Sequence, residues 1–132
     1  MILGRSLTVY LPPSPFRAIA LEILMPVYVV VQIDVTDPVA YETYKGLASP
    51  SIGLYDGRYA VRGGTTTTLE GHWDPGRFVL LEFPTAERAK AWHDSPEYGE
   101  ARVARRDAAN VKMILVEGPS YDPRVAAATS ST

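Results

Sequence analysis

Apolar and polar positions along this chain repeat as an apolar strand, a proline-marked helix cap and an amphipathic helix. The first copy begins with Tyr28–Ile33 and is capped at Asp37-Pro38, and the second begins with Phe78–Phe83 and is capped at Pro84-Thr85. A further strand-like segment follows each copy. Two β-α-β units of this kind interleave into one four-stranded antiparallel sheet with the helices on a single face. The pattern therefore predicts an α+β, ferredoxin-like βαββαβ fold.

Polar and helix-breaking residues set the expected ends of these elements. Asp37 can accept hydrogen bonds from the first backbone N–H groups of the first helix, which Ser49-Pro50-Ser51 is expected to end. Ser95-Pro96 interrupts the second helical region and caps a further helical segment. Gly63-Gly64 predicts a kink or bulge in the second strand, because the β-favouring run Thr65–Glu70 follows it.

Both faces of the two central strands are apolar. Val29 and Val31 point to one face of the first strand, and Tyr28 and Val30 point to the other. Helices cover only one face, so a monomer would expose a large apolar surface, which proteins usually keep for an interface. We therefore expect a homodimer in which two sheets pack face to face about a two-fold axis and form a dimeric α+β barrel.

The chain divides into an N-terminal extension at residues 1–24, a domain at residues 25–118 and a tail at residues 119–132. Pro12-Pro13-Ser14-Pro15 interrupts the apolar residues of the extension, so it resembles neither a signal peptide nor a bilayer-spanning segment. One interpretation is translation from an upstream start codon, which would make the extension dispensable for folding. The alternative is an arm that packs on the domain or on a partner subunit. The tail is small and polar and is expected to be mobile.

The overall composition excludes several classes of function. The formal net charge of −2 gives no electrostatic basis for binding nucleic acid or an anionic membrane. The chain contains no cysteine, which excludes disulfides, thiolate chemistry and cysteine-bound metals. His72 and His93 are isolated on separate segments and lack the spacing of metal or haem ligands, so neither a metal nor a cofactor is expected.

Several separated motifs together resemble one known family. They occur in order within residues 26–118 and are Asp37-Pro38-x-x-Tyr41, Arg58-Tyr59-x-x-Arg62-Gly63-Gly64, Leu69-Glu70-Gly71, Glu82-Phe83-Pro84 and Ser95-Pro96-Glu97-Tyr98. On this basis the chain is similar to the domain-of-unknown-function family numbered 1330, within the dimeric α+β barrel superfamily. The resemblance implies a ferredoxin-like protomer, a homodimer and a small bacterial cytoplasmic protein. It implies no activity, because superfamily relatives range from cofactor-independent monooxygenases to haem enzymes.

Asp34 and Glu82 are the first candidates for acid–base chemistry. Each lies three residues before its helix cap. We expect the first and third strands to be adjacent and parallel, which would bring the two carboxylates together and raise the pKa of one of them. The alternative is that Glu82 binds an arginine or backbone amides and only organises the turn from strand to helix.

Arg58 and Arg62 alternate along the second strand, and Arg62 precedes the double glycine. An arginine beside exposed backbone N–H groups can clamp an anion or a carboxylate. Since the second and third strands are antiparallel neighbours, we expect Arg62 and Glu82 to reach one cleft beneath the helices and to act there as the catalytic pair. An ion pair of Arg62 with Glu82 or Glu70 is the structural alternative.

Aromatic residues at helical spacing favour a packed core, or the walls of a cleft where the core leaves one. Together with Asp34 and Arg58, the predicted substrate-binding set contains Tyr28, Tyr41, Tyr44 and Trp92. A mostly apolar lining with a few polar groups is typical of small-molecule pockets. The leading hypothesis is therefore a protein that binds a small organic molecule. If the bound molecule reacts, the protein is expected to be a cofactor-independent enzyme that acts by acid–base chemistry. The competing hypothesis is a non-catalytic binding or accessory module whose dimer is the functional unit.

Overall fold

The elements follow the predicted order, with the second helical region divided in two. A computed structural model describes residues 26–118 and residue 124. The elements are β1 (Val27–Val35), α1 (Pro38–Leu54), β2 (Arg58–Arg62), β3 (Arg77–Phe83), α2 (Ala86–His93), α3 (Pro96–Ala104) and β4 (Ala109–Val116). The prediction for residues 1–24 lies outside the described residues, as does the prediction for the tail apart from Arg124.

The four strands form one sheet in the order β2-β3-β1-β4, and every neighbouring pair is antiparallel. This arrangement confirms the α+β, ferredoxin-like fold. The expectation that β1 and β3 are parallel was wrong. β1 and β2 are joined through a helix and run in the same direction, whereas β3 follows β2 through a loop and runs back. β3 therefore lies antiparallel to β1, with Val30 opposite Leu80 at the sheet centre.

The second strand is shorter than predicted. Its bulge lies between Tyr59 and Val61, not at the double glycine, and the strand ends at Arg62. Gly63 has a positive φ of 66°, and its N–H donates to the carbonyl of Phe78 at 2.9 Å, which closes the ladder. The run Thr65–Glu70 is exposed and forms no strand, because it pairs with none of the strands of residues 26–118.

Side-chain caps start all three helices as the sequence predicts. The side chains of Asp37, Thr85 and Ser95 accept hydrogen bonds from backbone N–H groups within the first turn of each helix. The expected end of α1 at Pro50 was wrong. Proline there removes one backbone donor, but Ser51 and Ile52 in the following turn are buried in the core. Burial of that last turn outweighs the lost hydrogen bond, and α1 continues to Leu54.

The two faces of the sheet have different surroundings. The helices cover one face, where Phe83, Trp92 and Tyr98 are almost completely buried. On the other face, here called the open face, no helix packs within residues 26–118, and the loop after β2 reaches it only at its margin, where the Trp73 ring centroid lies 6.4 Å from that of Phe78. The open face carries half-buried and exposed apolar side chains, namely Tyr28, Val30, Phe78, Leu80, Val61, Ile114 and Val116.

We predict that Ser51→Ala lowers the free energy of unfolding by about 1–3 kcal/mol, because it leaves a buried donor without an acceptor. The Ser51 hydroxyl is buried and accepts a hydrogen bond from the Trp92 indole Nε1 at 3.0 Å. Urea denaturation measures the change. Thr66→Ala, in the exposed part of the loop after β2, is the control and should stay within about 0.5 kcal/mol of the wild type. Equal stability of the two variants would contradict the prediction.

Candidate functional site

The residues predicted to form one site are separated by the sheet. The helix-covered side carries Tyr41, Tyr44, Trp92 and Arg62. The open face carries Tyr28, Asp34, Arg58 and Glu82, as the strand registers require. The sequence therefore identified residues of two different surfaces.

On the open face, Glu82 forms an ion pair with an arginine. Its Oε1 accepts a hydrogen bond from Arg58 Nη2 at 2.8 Å, and the two residues lie directly opposite each other on β3 and β2. The pair is partly exposed, with relative side-chain exposures of 66% for Arg58 and 23% for Glu82, so it adds at most about 1 kcal/mol to stability. This is the structural alternative that the sequence left open for Glu82.

Asp34 and Glu82 do not meet. Glu82 lies opposite Tyr28 at the start of β1, whereas Asp34 lies near the end of β1, opposite Asn110 on β4. The predicted carboxylate pair was wrong because it depended on parallel strands. In an antiparallel pair, the two carboxyl ends lie at opposite edges of the sheet.

The expected cleft shared by Arg62 and Glu82 was also wrong. Arg62 lies opposite Val79, whose side chain is buried under the helices. Arg62 Nη2 donates a hydrogen bond to Ser49 Oγ at 2.9 Å. The cause is the bulge in β2. Strict alternation would place Arg58 and Arg62 on the same face, but the extra residue reverses the alternation and turns Arg62 to the helix side.

The aromatic residues beneath the helices form a packed cluster. The hydroxyls of Tyr44 and Tyr98 are 3.1 Å apart, and the ring centroids of Tyr98 and Trp92 are 4.3 Å apart. Burial raises the pKa of Tyr44 well above its ordinary value, and the neighbouring Tyr98 adds to that rise. The cavity beside these rings has a volume of about 30 Å³, enough for about two water molecules. The cluster is therefore core, and the space beside it is too small to enclose a whole organic ligand.

Two further charged residues, Lys45 and Arg77, border that small cavity and were not among the predicted site residues. Lys45 and Arg77 lie with their charged groups 5.8 Å and 5.9 Å from the Tyr41 ring centroid, and the Arg62 guanidinium lies 4.6 Å from the Tyr59 ring centroid. Burial raises the pKa of Tyr41, and the Arg77 guanidinium opposes that rise. The sequence signal was available for Arg77, because alternation along β3 places it on the same face as the apolar residues Val79, Leu81 and Phe83.

A larger cleft of about 240 Å³ lies between α2 and β4. Its lining is mainly apolar and includes Val29, Ala89, Trp92, Met113 and Leu115, with Lys90, His93 and Asp94 also on the lining. We call it the α2–β4 cleft. Trp92 and Met113 line both this cleft and the small cavity under α1. A ligand-sized space is therefore present on the helix side, next to the predicted aromatic residues.

His93 is the residue of the α2–β4 cleft that titrates nearest to neutral pH. Burial lowers its pKa below the ordinary value of 6.5, Arg102 lowers it further, and Asp94 opposes the change. Arg102 Nη2 donates to the His93 carbonyl oxygen and lies 3.3 Å from His93 Nε2. A neutral imidazole at this position can accept a proton or a hydrogen bond from a bound molecule.

Within residues 26–118 and at residue 124, no three His, Asp or Glu side chains gather into a cluster that could hold a metal ion. None of the helices described is long and apolar enough to cross a membrane.

We predict a pH dependence of stability that depends on His93. Its folded-state pKa is lowered, so between that value and 6.5 the unfolded chain binds more protons than the folded chain. The stabilising contribution is complete above pH 6.5 and is lost as the pH falls through the folded pKa. Urea denaturation across this range should show a smaller loss of stability on acidification for His93→Asn than for the wild type. His72→Asn, in the exposed loop, should behave as the wild type, and identical pH profiles for all three proteins would contradict the prediction.

Comparison with known proteins connects this structure to a family. The model described as domain of unknown function DUF1330 matches residues 26–119. A protein of unknown function from Rhodopseudomonas palustris is 17% identical, with a TM-score of 0.59 over 86% of this chain and 100% of that one. The cofactor-independent oxygenase SnoaB from Streptomyces nogalater is 14% identical, with a TM-score of 0.52 over 75% of this chain and 98% of that one.

These identities establish a shared fold and assign no activity. A search of curated proteins found no match. The family model, in contrast, covers well over half of the chain. The chain therefore belongs to the DUF1330 family, as its motifs indicated.

Proposed function

We propose that this protein binds a small, mostly apolar organic molecule in the α2–β4 cleft. The observation that carries the proposal is the combination of space and lining in one place. The cleft volume of about 240 Å³ is slightly below the range of roughly 300–1,000 Å³ that is usual for ligand pockets. Its wall of aliphatic residues and Trp92 suits an apolar ring, and Lys90, His93 and Asp94 can orient a polar substituent.

The geometry favours ligand binding over acid–base catalysis by Arg62 and Glu82. Glu82 is held by Arg58 on the open face, and Arg62 lies on the helix side, so no single substrate could contact both. His93 is the group in the cleft with the protonation behaviour of a general base. SnoaB has this fold and is a cofactor-independent oxygenase. For the present chain, catalysis by His93 is the enzymatic alternative to a binding or accessory module.

The open face supports a homodimer as the functional unit. Tyr28, Val30, Phe78 and Leu80 form an apolar centre, and Ile114 is 63% exposed beside it. A second copy of the chain, related by a two-fold axis, would cover this surface with the same residues. The helix-side part of the proposed ligand cleft would remain accessible in such a dimer, with Ile114 at the border between the cleft and the open face.

We predict that naphthol, a neutral aromatic probe, binds the α2–β4 cleft. Trp73→Phe provides a background in which Trp92 is the remaining tryptophan, since the chain has two. Naphthol should change Trp92 fluorescence in a saturable manner. Leu115→Tyr fills part of the cleft and should weaken binding by about tenfold or more, a loss of at least about 1.4 kcal/mol. Val103→Tyr, at an exposed position of α3, should leave the affinity unchanged. Equal affinities of the two variants would contradict the proposed site.

We predict that the protein in solution has twice the chain mass of 14.5 kDa. Leu80→Glu places a charge at the centre of the proposed interface, where it would be buried and unpaired, and should produce monomers. Size-exclusion chromatography with light scattering measures the mass. Val103→Glu adds the same charge at an exposed site outside the sheet and should remain dimeric. A wild-type monomer at micromolar concentration would rule out the barrel dimer.

A further inference from the structure

Positive charge is concentrated around the small cavity under α1. Lys45, Arg62 and Arg77 all line it, and none of its described lining residues is a carboxylate. Lys45 is paired with Glu42 at 2.8 Å on the helix surface, whereas neither arginine forms an ion pair with a described residue. Elsewhere in the described chain, Arg58 and Arg88 each have a carboxylate partner. Among the described residues, the charges of Arg62 and Arg77 therefore have no carboxylate partner at this cavity.

Arg77 shows the clearest sign of a missing acceptor. Its Nε is buried and has no hydrogen-bond partner among the described residues. The guanidinium is held in place, because it packs against Gly63, where a Cβ atom would collide with Nη1. A buried charged donor without an acceptor is unfavourable and commonly marks a position for water or an ion. Arg105 Nε is also buried and unpaired, but Arg105 does not line the cavity.

We propose that Arg62 and Arg77 bind an oxyanion, meaning a carboxylate or phosphate group, at this cavity, which we call the arginine pocket. The guanidinium fork matches the oxygen spacing of both groups, and the Tyr41 and Tyr59 side chains on the lining can bring hydroxyl donors to the anion. The volume of about 30 Å³ admits the oxygen atoms of one such group and little more. Arg62 is exposed at the rim, so the rest of the bound molecule would extend outward.

The arginine pocket is a second site, independent of the α2–β4 cleft. Trp92 and Met113 separate the two spaces, and Trp92 is fixed by its hydrogen bond to Ser51. Arg62 is held by the weaker, neutral acceptor Ser49 Oγ and by the Tyr59 ring. An incoming oxyanion gives Arg62 a charged acceptor, which is a stronger partner than the serine hydroxyl. Both arginines therefore gain on binding.

Sodium phosphate and sodium acetate, titrated against sodium chloride at constant ionic strength, test the proposal. The readout is the NMR signal of the Arg77 Nε–H group, which reports directly on a new acceptor. We expect a saturable shift with at least one of the two anions. Saturation by acetate alone assigns a carboxylate, and saturation by phosphate assigns a phosphate group. If neither phosphate nor acetate shifts the Arg77 Nε–H signal more than sodium chloride does, the proposal is overturned.

Matched variants distinguish specific anion binding at the arginine pocket from general attraction of anions to positive charge. Arg62→Gln should weaken anion binding by about tenfold or more, which corresponds to about 1.4 kcal/mol. Arg77→Lys keeps the charge but removes the Nε donor, and its affinity, followed by calorimetry, should fall by a similar factor. Arg106→Gln removes one positive charge from an exposed position after α3 and should leave the affinity unchanged. An equal loss in Arg106→Gln and Arg62→Gln would overturn the site. Naphthol binding should persist in Arg62→Gln, so failure of either proposal can be recognised separately.

Discussion

The hydrogen bond from the Trp92 indole to the Ser51 hydroxyl joins α1 to α2, and the packing of the helices on the sheet depends on it. Ser51 belongs to the last turn of α1, beyond Pro50, and Trp92 belongs to α2. The indole also packs on Phe83 of β3 and on Tyr98 of α3. A single side chain thus links three helices and the sheet. Because Trp92 lines both the small cavity and the α2–β4 cleft, the same interaction keeps the two spaces apart.

A second constraint is the bulge in β2. It lies between Tyr59 and Val61, and it reverses the alternation of the strand. Arg58 therefore reaches Glu82 on the open face, whereas Arg62 turns to the helix side and stacks on Tyr59. Because of one extra residue, two arginines of the same strand lie on opposite faces of the sheet and have different partners. The first forms an ion pair, and the second joins a group of cations that has too few acceptors.

The sequence predicted those features that depend on neighbours along the chain. The helix caps at Asp37, Thr85 and Ser95 are local hydrogen bonds, and the residue types of β1 and β3 identified both faces of these strands as apolar. It could not predict features that depend on distant partners. Continuation of α1 through Pro50 requires the burial of the next turn, and the bulge requires the register of β3. For this reason the fold was recovered, while the candidate site was divided between two faces.

The division of the site follows from how each face can be covered. On the helix side, burial by α1, α2 and α3 leaves small spaces whose size and charge select a ligand. On the open face, no helix of residues 26–118 buries Leu80 and its apolar neighbours, and a second copy of the chain is the partner we propose. The Arg58–Glu82 pair lies beside that apolar centre. It is already neutralised within one chain, so covering it would bury no unpaired charge. A preformed ion pair is therefore compatible with a dimer interface, whereas a free Glu82 carboxylate, as a general base requires, would oppose it.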